Sequence, residues 1–124
     1  MVQTERIKNE ICAALDNKKA RNILIIDVKE MTTVTDYMIT ATGTTKTQLK
    51  SMCDEVEEKV AEKLDQRPLR IEGYTEGRWI VIDYGSVLVH IFCDEYRALY
   101  QLEQLWSNGD NVTKFEAEKD EEKL

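Results

Sequence analysis

The 124 residues contain only one histidine, His90. The three cysteines, Cys12, Cys53 and Cys93, are spread along the chain and form no Cys-x-x-Cys pair. A metal site built from cysteine and histidine needs ligands at short spacings. Each cysteine also stands where a small apolar side chain would fit. We therefore expect structural thiols and no metal site.

Long apolar runs are also missing. No stretch approaches the roughly 20 residues that a membrane-spanning helix requires. The first six residues, MVQTER, are mostly polar and include an acid, which is typical of neither a signal peptide nor a transit peptide. With 42% hydrophobic and 33% charged residues, the composition is that of a single globular domain. We expect this domain to be cytoplasmic.

Basic residues are too few to offset the acids. The chain has 24 acidic and 17 basic residues, for a formal net charge of −7. Proteins that bind nucleic acid directly usually carry a basic stripe, because neutralising phosphates releases counterions. The sequence shows no such stripe, so we expect little direct nucleic-acid binding. A basic protein partner is compatible with the charge.

Apolar periodicity predicts eight elements in the order α-β-β-α-β-β-β-α. This order indicates the α/β class, with a mixed sheet flanked by helices. The predicted elements cover residues 4–15, 23–28, 37–42, 45–64, 69–74, 79–83, 86–92 and 94–106. We place the domain at residues 1–106. Residues 107–124 carry six acids and three bases, so they are expected to form a charged, mobile tail.

No residue pattern in the chain indicates a catalytic site. The segment after Gly43 lacks the glycine spacing of a phosphate-binding loop. His90 has only Cys93 near it as a nucleophile, without a surrounding motif. Asp27 and Asp83 can each end a strand, yet neither belongs to an Asp-x-Asp pair that would hold two metal ions. We therefore predict a binding protein with no catalytic residue and no cofactor.

Two side chains of the predicted hairpin have alternative interpretations. His90 either forms a hydrogen bond within the sheet, for example with Asp83, or contacts a partner. The first is favoured because the histidine is isolated. Trp79 begins its strand beside the charged Glu76 and Arg78. An interface anchor is therefore favoured over core packing for this residue.

The hairpin and the helix after it carry a specific motif. Residues 79–85 (WIVIDYG), 89–92 (VHIF) and 95–106 (EYRALYQLEQLW) resemble the signature of the ribosomal silencing factor family, also called Iojap-like. Residues 35–37 (TDY) and 41–44 (ATGT) are similar to the first half of the same family. The resemblance covers most of the chain, and its three-part signature is specific.

This resemblance implies a nucleotidyltransferase-like fold that lacks the catalytic carboxylates. It also implies binding to the large ribosomal subunit through large-subunit ribosomal protein fourteen. On that face of the subunit, the bound domain would sterically block joining of the small subunit. Translation would thereby be repressed under nutrient limitation or in stationary phase.

Eight residues match the family's motif at their own positions: Trp79, Asp83, Gly85, His90, Arg97, Tyr100, Glu103 and Trp106. The residues expected to contact the partner are Trp79, Arg97 and Tyr100. Those expected to shape the hairpin are Asp83, Gly85 and His90. The family usually has an aspartate where this chain has Ser86. If that acid only shapes the turn, serine can replace it by accepting a backbone hydrogen bond; if it contacts the partner, one contact is weakened.

Two other functions stay open at this point. One is an adaptor for assembly of the large subunit. The other, less favoured, is a diverged nucleotidyltransferase-type enzyme, which binding of magnesium and nucleoside triphosphates would reveal. The chain is expected to be a monomer or a weak homodimer, with no membrane contact.

Overall fold

The structure is a computed structural model that describes residues 2–116. In that range it has four helices and six strands: α1 (Val2–Asn17), β1 (Arg21–Asp27), β2 (Tyr37–Gly43), α2 (Lys46–Leu64), β3 (Arg70–Glu72), β4 (Trp79–Asp83), β5 (Val87–Cys93), α3 (Asp94–Tyr100), α4 (Leu102–Leu105) and β6 (Val112–Lys114). Among these helices, none is long and apolar enough to cross a membrane.

All six strands form one sheet in the order β3-β4-β5-β2-β1-β6. The central β2 and β5 run parallel, whereas every other neighbouring pair is antiparallel. Every residue of β2 is buried, as expected for a strand with a paired neighbour on each side and covered faces. This mixed sheet with its helices confirms the predicted α/β class.

The long helices α1 and α2 pack on one face of the sheet. At the start of α2, the Thr45 hydroxyl accepts a hydrogen bond from the Gln48 N–H at 3.0 Å. This is the cap that the Thr-x-x-Gln pattern predicts. The core between helices and sheet is aliphatic and fully buried; it includes Ile11, Leu15, Ile39, Leu49, Met52, Val56, Ile80, Ile82, Val89 and Ile91.

The two short helices lie on the opposite face, where α3 contacts β5 and β2. The prediction of one continuous helix over residues 94–106 is wrong. Gln101 adopts a left-handed conformation with φ of 49°, and its N–H donates to the Arg97 carbonyl. That geometry closes α3, so α4 begins anew at Leu102. Trp106, just after α4, packs against a small second core of Ile26, Val28 and Met38.

Part of the expected mobile tail belongs to the sheet. The strand β6 pairs with β1, and Phe115 packs against the main core. The Asn111 amide donates to the carbonyls of Asp27 and Trp106, both at 2.9 Å. The domain therefore extends beyond residue 106, in contrast to the predicted boundary. The rest of the predicted tail, residues 117–124, lies outside the described residues.

Candidate protein-binding surface

The turn between β4 and β5 sets the register of the two strands. The Asp83 carboxylate accepts a hydrogen bond from the Gly85 N–H at 2.8 Å. Gly85 has φ of 86°, which other residues rarely adopt. The Tyr84 N–H donates to the Val87 carbonyl at 2.9 Å and closes the hairpin. The Ser86 carbonyl accepts two backbone hydrogen bonds from the start of β2 and the residue before it, which ties the turn to the sheet centre.

Alternation along β4 decides which of its side chains face away from the long helices. Ile80 and Ile82 point into the helix-covered core and are fully buried. Successive side chains of a strand point to opposite faces. Trp79, Val81 and Asp83 therefore point to the other face, where all three are half-buried.

Three aromatic side chains beside α3 form a cluster that we call the aromatic surface: Trp79, Tyr96 and Tyr100. The ring centroid of Tyr100 lies 4.8 Å from that of Trp79 and 5.9 Å from that of Tyr96. Trp79 also packs on the fully buried Phe92, with centroids 5.2 Å apart. Tyr100 is 48% exposed, and the neighbouring Leu99 is exposed as well. Accessible aromatic side chains on a rigid support are typical anchors of protein interfaces.

His90 lies under this surface and bonds to it. The Trp79 Nε1–H donates to His90 Nδ1 at 3.0 Å. Burial lowers the pKa of His90 to about 4, so its imidazole is neutral at pH 7. Because Nδ1 accepts the indole proton, the imidazole's own proton resides on Nε2. The hydrogen-bond partner of His90 is therefore Trp79, and not Asp83 as considered from the sequence.

Arg97 occupies the interior between α3 and the sheet. It is only 8% exposed. Its two terminal nitrogens donate to the hydroxyls of Thr42 at 2.6 Å and Thr40 at 3.0 Å, and its Nε donates to Glu103 at 3.1 Å. All of this guanidinium's nitrogens are thus used within the molecule. Arg97 braces α3 and α4 against β2, in contrast to the partner contact predicted for it.

A groove of about 440 Å³ lies next to the aromatic surface on the same sheet face. Val81 connects the two, since it lines both the groove and a smaller cleft beside Trp79. Val34 and Leu69 also line the groove, and both are largely exposed. Sequence reasoning missed these two residues. Val34 stands in a polar stretch, and Leu69 only begins the short predicted strand 69–74, so the pattern around neither residue indicates a shared surface.

Within residues 2–116, no group of three or more His, Cys, Asp or Glu side chains could hold a metal ion. Burial raises the pKa of the Cys12 and Cys53 thiols to about 12. Both therefore stay protonated at neutral pH, where the nucleophilic thiolate would be needed for reaction. These two cysteines are core residues.

The fold and this surface define a class of protein: an α/β domain that exposes aromatic and aliphatic side chains on the sheet face opposite α1 and α2. A family profile described as "Ribosomal silencing factor during starvation" matches residues 2–124. The chain belongs to this family of ribosomal silencing factors. The family is named for regulation and not for a catalytic activity.

Individual relatives agree with this assignment. Ribosomal silencing factor RsfS of Halalkalibacterium halodurans is 34% identical over 99 residues, which cover 80% of this chain and 84% of the relative. A mouse protein named mitochondrial assembly of ribosomal large subunit protein 1 is 31% identical over 78% of this chain and 43% of its own length. A crystal structure of a Chromobacterium violaceum protein superposes with a TM-score of 0.79 at 30% identity, covering 82% of this chain and 84% of the other.

Proposed function

We propose that this protein represses translation by binding the large ribosomal subunit and blocking its joining to the small subunit. Its direct contact is large-subunit ribosomal protein fourteen, and Trp79 and Tyr100 of the aromatic surface make that contact. The observation that carries this proposal is the cluster of accessible rings on the sheet face that α1 and α2 leave open.

The geometry of Trp79 suits an interface anchor. Its ring is supported by the buried Phe92 and flanked by Tyr100, so the ring is half-buried before any partner arrives. A pre-organised tryptophan loses little side-chain freedom on binding, which is one reason that tryptophan and tyrosine dominate interface energetics.

Charge supports a basic protein as the partner. The chain has a net charge of −7, which favours approach to a basic ribosomal protein and opposes non-productive binding to the surrounding RNA phosphates. No chemistry is needed for silencing in this proposal. A bound domain of 14.4 kDa has only to overlap the position of the small subunit.

Substitution of Trp79 by glutamate tests this proposal. Loss of a hot-spot aromatic costs about 2–4 kcal/mol of binding, so Trp79→Glu should weaken binding to isolated large subunits by about thirtyfold to a thousandfold. The variant should still unfold cooperatively, at a moderately lower temperature, because the ring is half-buried and the change removes its packing on Phe92 and its bond to His90. Met31→Glu is the matched control, since Met31 is exposed and lines a different cleft. It should bind like the parent.

Pelleting with purified large subunits measures the affinity, and thermal unfolding measures the fold. A collapsed melting transition in Trp79→Glu would place the tryptophan in the core, because a core tryptophan contributes about 3–5 kcal/mol to folding. In sucrose gradients, the parent should sediment with free large subunits. Equal abundance in joined ribosomes would contradict steric blocking.

A second candidate function is assembly of the large subunit. It is favoured by one observation, the name of the mouse relative. The same gradients distinguish the two functions. An assembly adaptor should accompany precursor particles with immature RNA, whereas a silencing factor should accompany mature large subunits.

A further inference from the structure

The side chain of His90 is enclosed by aromatic rings. Its ring centroid lies 5.9 Å from both Trp79 and Phe92, and it stacks on Phe92 with an interplanar angle of 14°. Its Nδ1 accepts the indole N–H of Trp79 at 3.0 Å. This hydrogen bond joins a buried side chain of β5 to the aromatic surface.

We propose that His90 is a positioning residue, whose Nδ1 holds the indole ring of Trp79 in the orientation that the ribosomal partner meets. The inference rests on the proposed function, because it assumes that Trp79 is a binding anchor. It assigns His90 a role that differs from the hairpin-shaping role expected from the resemblance.

Histidine is an energetically costly residue at this position. His90 is only 7% exposed, and its Nε2 has no hydrogen-bond partner among the described residues. A buried N–H without an acceptor is unfavourable and uncommon in folded proteins. A phenylalanine would stack on Phe92 without that cost. The acceptor that imidazole offers to Trp79 is what histidine adds here.

Among the described residues, the indole N–H of Trp79 reaches His90 Nδ1 as its acceptor. Thr40, which pairs with His90 across β2 and β5, instead accepts a hydrogen bond from Arg97. The Thr40 hydroxyl therefore belongs to the contact between α3 and β2, and His90 to the contact with Trp79.

The hydrogen bond adds to the packing that pre-organises Trp79. The ring touches Phe92 on β5 and Tyr100 on α3, and these contacts are non-directional. A hydrogen bond from the ring edge is directional, so it fixes the tilt of the indole plane. Immobilising a side chain on binding typically costs enough to reduce affinity by about three- to tenfold. Loss of the bond should have an effect of that size.

Two substitutions separate the acceptor from the ring. His90→Phe keeps an aromatic ring and removes the acceptor. His90→Asn removes the ring and keeps an oxygen on Cγ, the atom that carries Nδ1 in histidine. If the hydrogen bond positions Trp79, the asparagine variant should behave like the parent and the phenylalanine variant should not. If ring packing alone matters, the order should be reversed.

The free protein is measured first, by the ¹⁵N–¹H resonance of the Trp79 indole, with the Trp106 indole as internal reference. In His90→Phe, the Trp79 resonance should shift and its proton should exchange faster with water; in His90→Asn, it should stay near the parent. Binding to large subunits should weaken by about three- to tenfold in His90→Phe alone. In a Trp79→Phe background, which has no indole N–H, His90→Phe should cause no further loss.

Three results would overturn the inference: parent-like binding of His90→Phe, weaker binding of His90→Asn than of His90→Phe, or equal effects of His90→Phe with and without the indole. Failure of the proposed function has a different signature. In that case Trp79→Glu itself would bind like the parent, although the indole resonance would still report the hydrogen bond.

Discussion

The two faces of the sheet use the same strands for different purposes. On β5, the side chains of Val87, Val89 and Ile91 point to α1 and α2 and are fully buried. The alternate positions Leu88, His90 and Phe92 point to the other face. There Phe92 stacks on His90, Thr40 accepts a hydrogen bond from the buried Arg97, and Leu88 packs against the small second core.

The two faces therefore contribute differently to stability and to the proposed binding. On the face that α1 and α2 pack against, which we call the covered face, aliphatic side chains bury one another and contribute most of the hydrophobic stabilisation. The opposite face of the sheet is called the open face. The open face combines hydrogen bonds that hold α3 in place with rings that stay accessible. Changes to the covered face should therefore reduce folding, and changes to the open face should mainly reduce binding.

The largest effect on folding is expected from Ile91→Ala on the covered face. Removal of a fully buried isoleucine side chain should reduce the free energy of unfolding by about 3–4 kcal/mol, because the enclosed core cannot collapse into the space. Val81→Ala on the open face is the comparison and should cost about 1 kcal/mol or less. Urea denaturation measures both. Equal losses of unfolding free energy in the two variants would show that the two faces contribute equally to stability.

Arg97 lies on the open face but is buried, so a change there should reduce stability, unlike other changes on that face. Arg97→Met leaves Glu103, Thr40 and Thr42 without their donor, and the free energy of unfolding should fall by about 2–3 kcal/mol. Arg78→Met, on an exposed arginine, should change it by about 0.5 kcal/mol or less. Denaturation and subunit pelleting are measured together. A variant with unchanged stability and abolished binding would restore Arg97 as a direct partner contact.

The smallest effect on the free energy of unfolding is expected from removal of β6, the edge strand beside β1. Relative to a chain that ends at Glu116, a chain that ends at Asn111 should lose about 1–2 kcal/mol, because Val112 and Phe115 are only partly buried. Binding to large subunits should be unchanged, since β6 and the aromatic-bearing β4 lie at different positions in the sheet order. Thermal unfolding measures the loss of stability, and pelleting with large subunits measures the binding. Unchanged stability would mean that β6 does not belong to the folded unit.

Much of the fold is predictable from local pattern. The long helices, β1, β2 and the hairpin follow from apolar periodicity and turn residues, since these features act over a few neighbouring positions. The break at Gln101 and the strand β6 do not. Gln101 is a residue with ordinary helical propensity, and Val112 and Phe115 stand in a segment whose charge predicts a mobile tail.

The class of fold, the family and the choice of Trp79 as the strongest candidate anchor follow from the order of the residues alone. The inward position of Arg97, the bond between His90 and Trp79 and the groove shared by Val34 and Leu69 become visible in the folded domain. Local pattern reports which residues are apolar and with what period. It does not report the strand register or which face of the sheet a short helix covers. These two features of the tertiary structure decide which of the side chains named above come into contact.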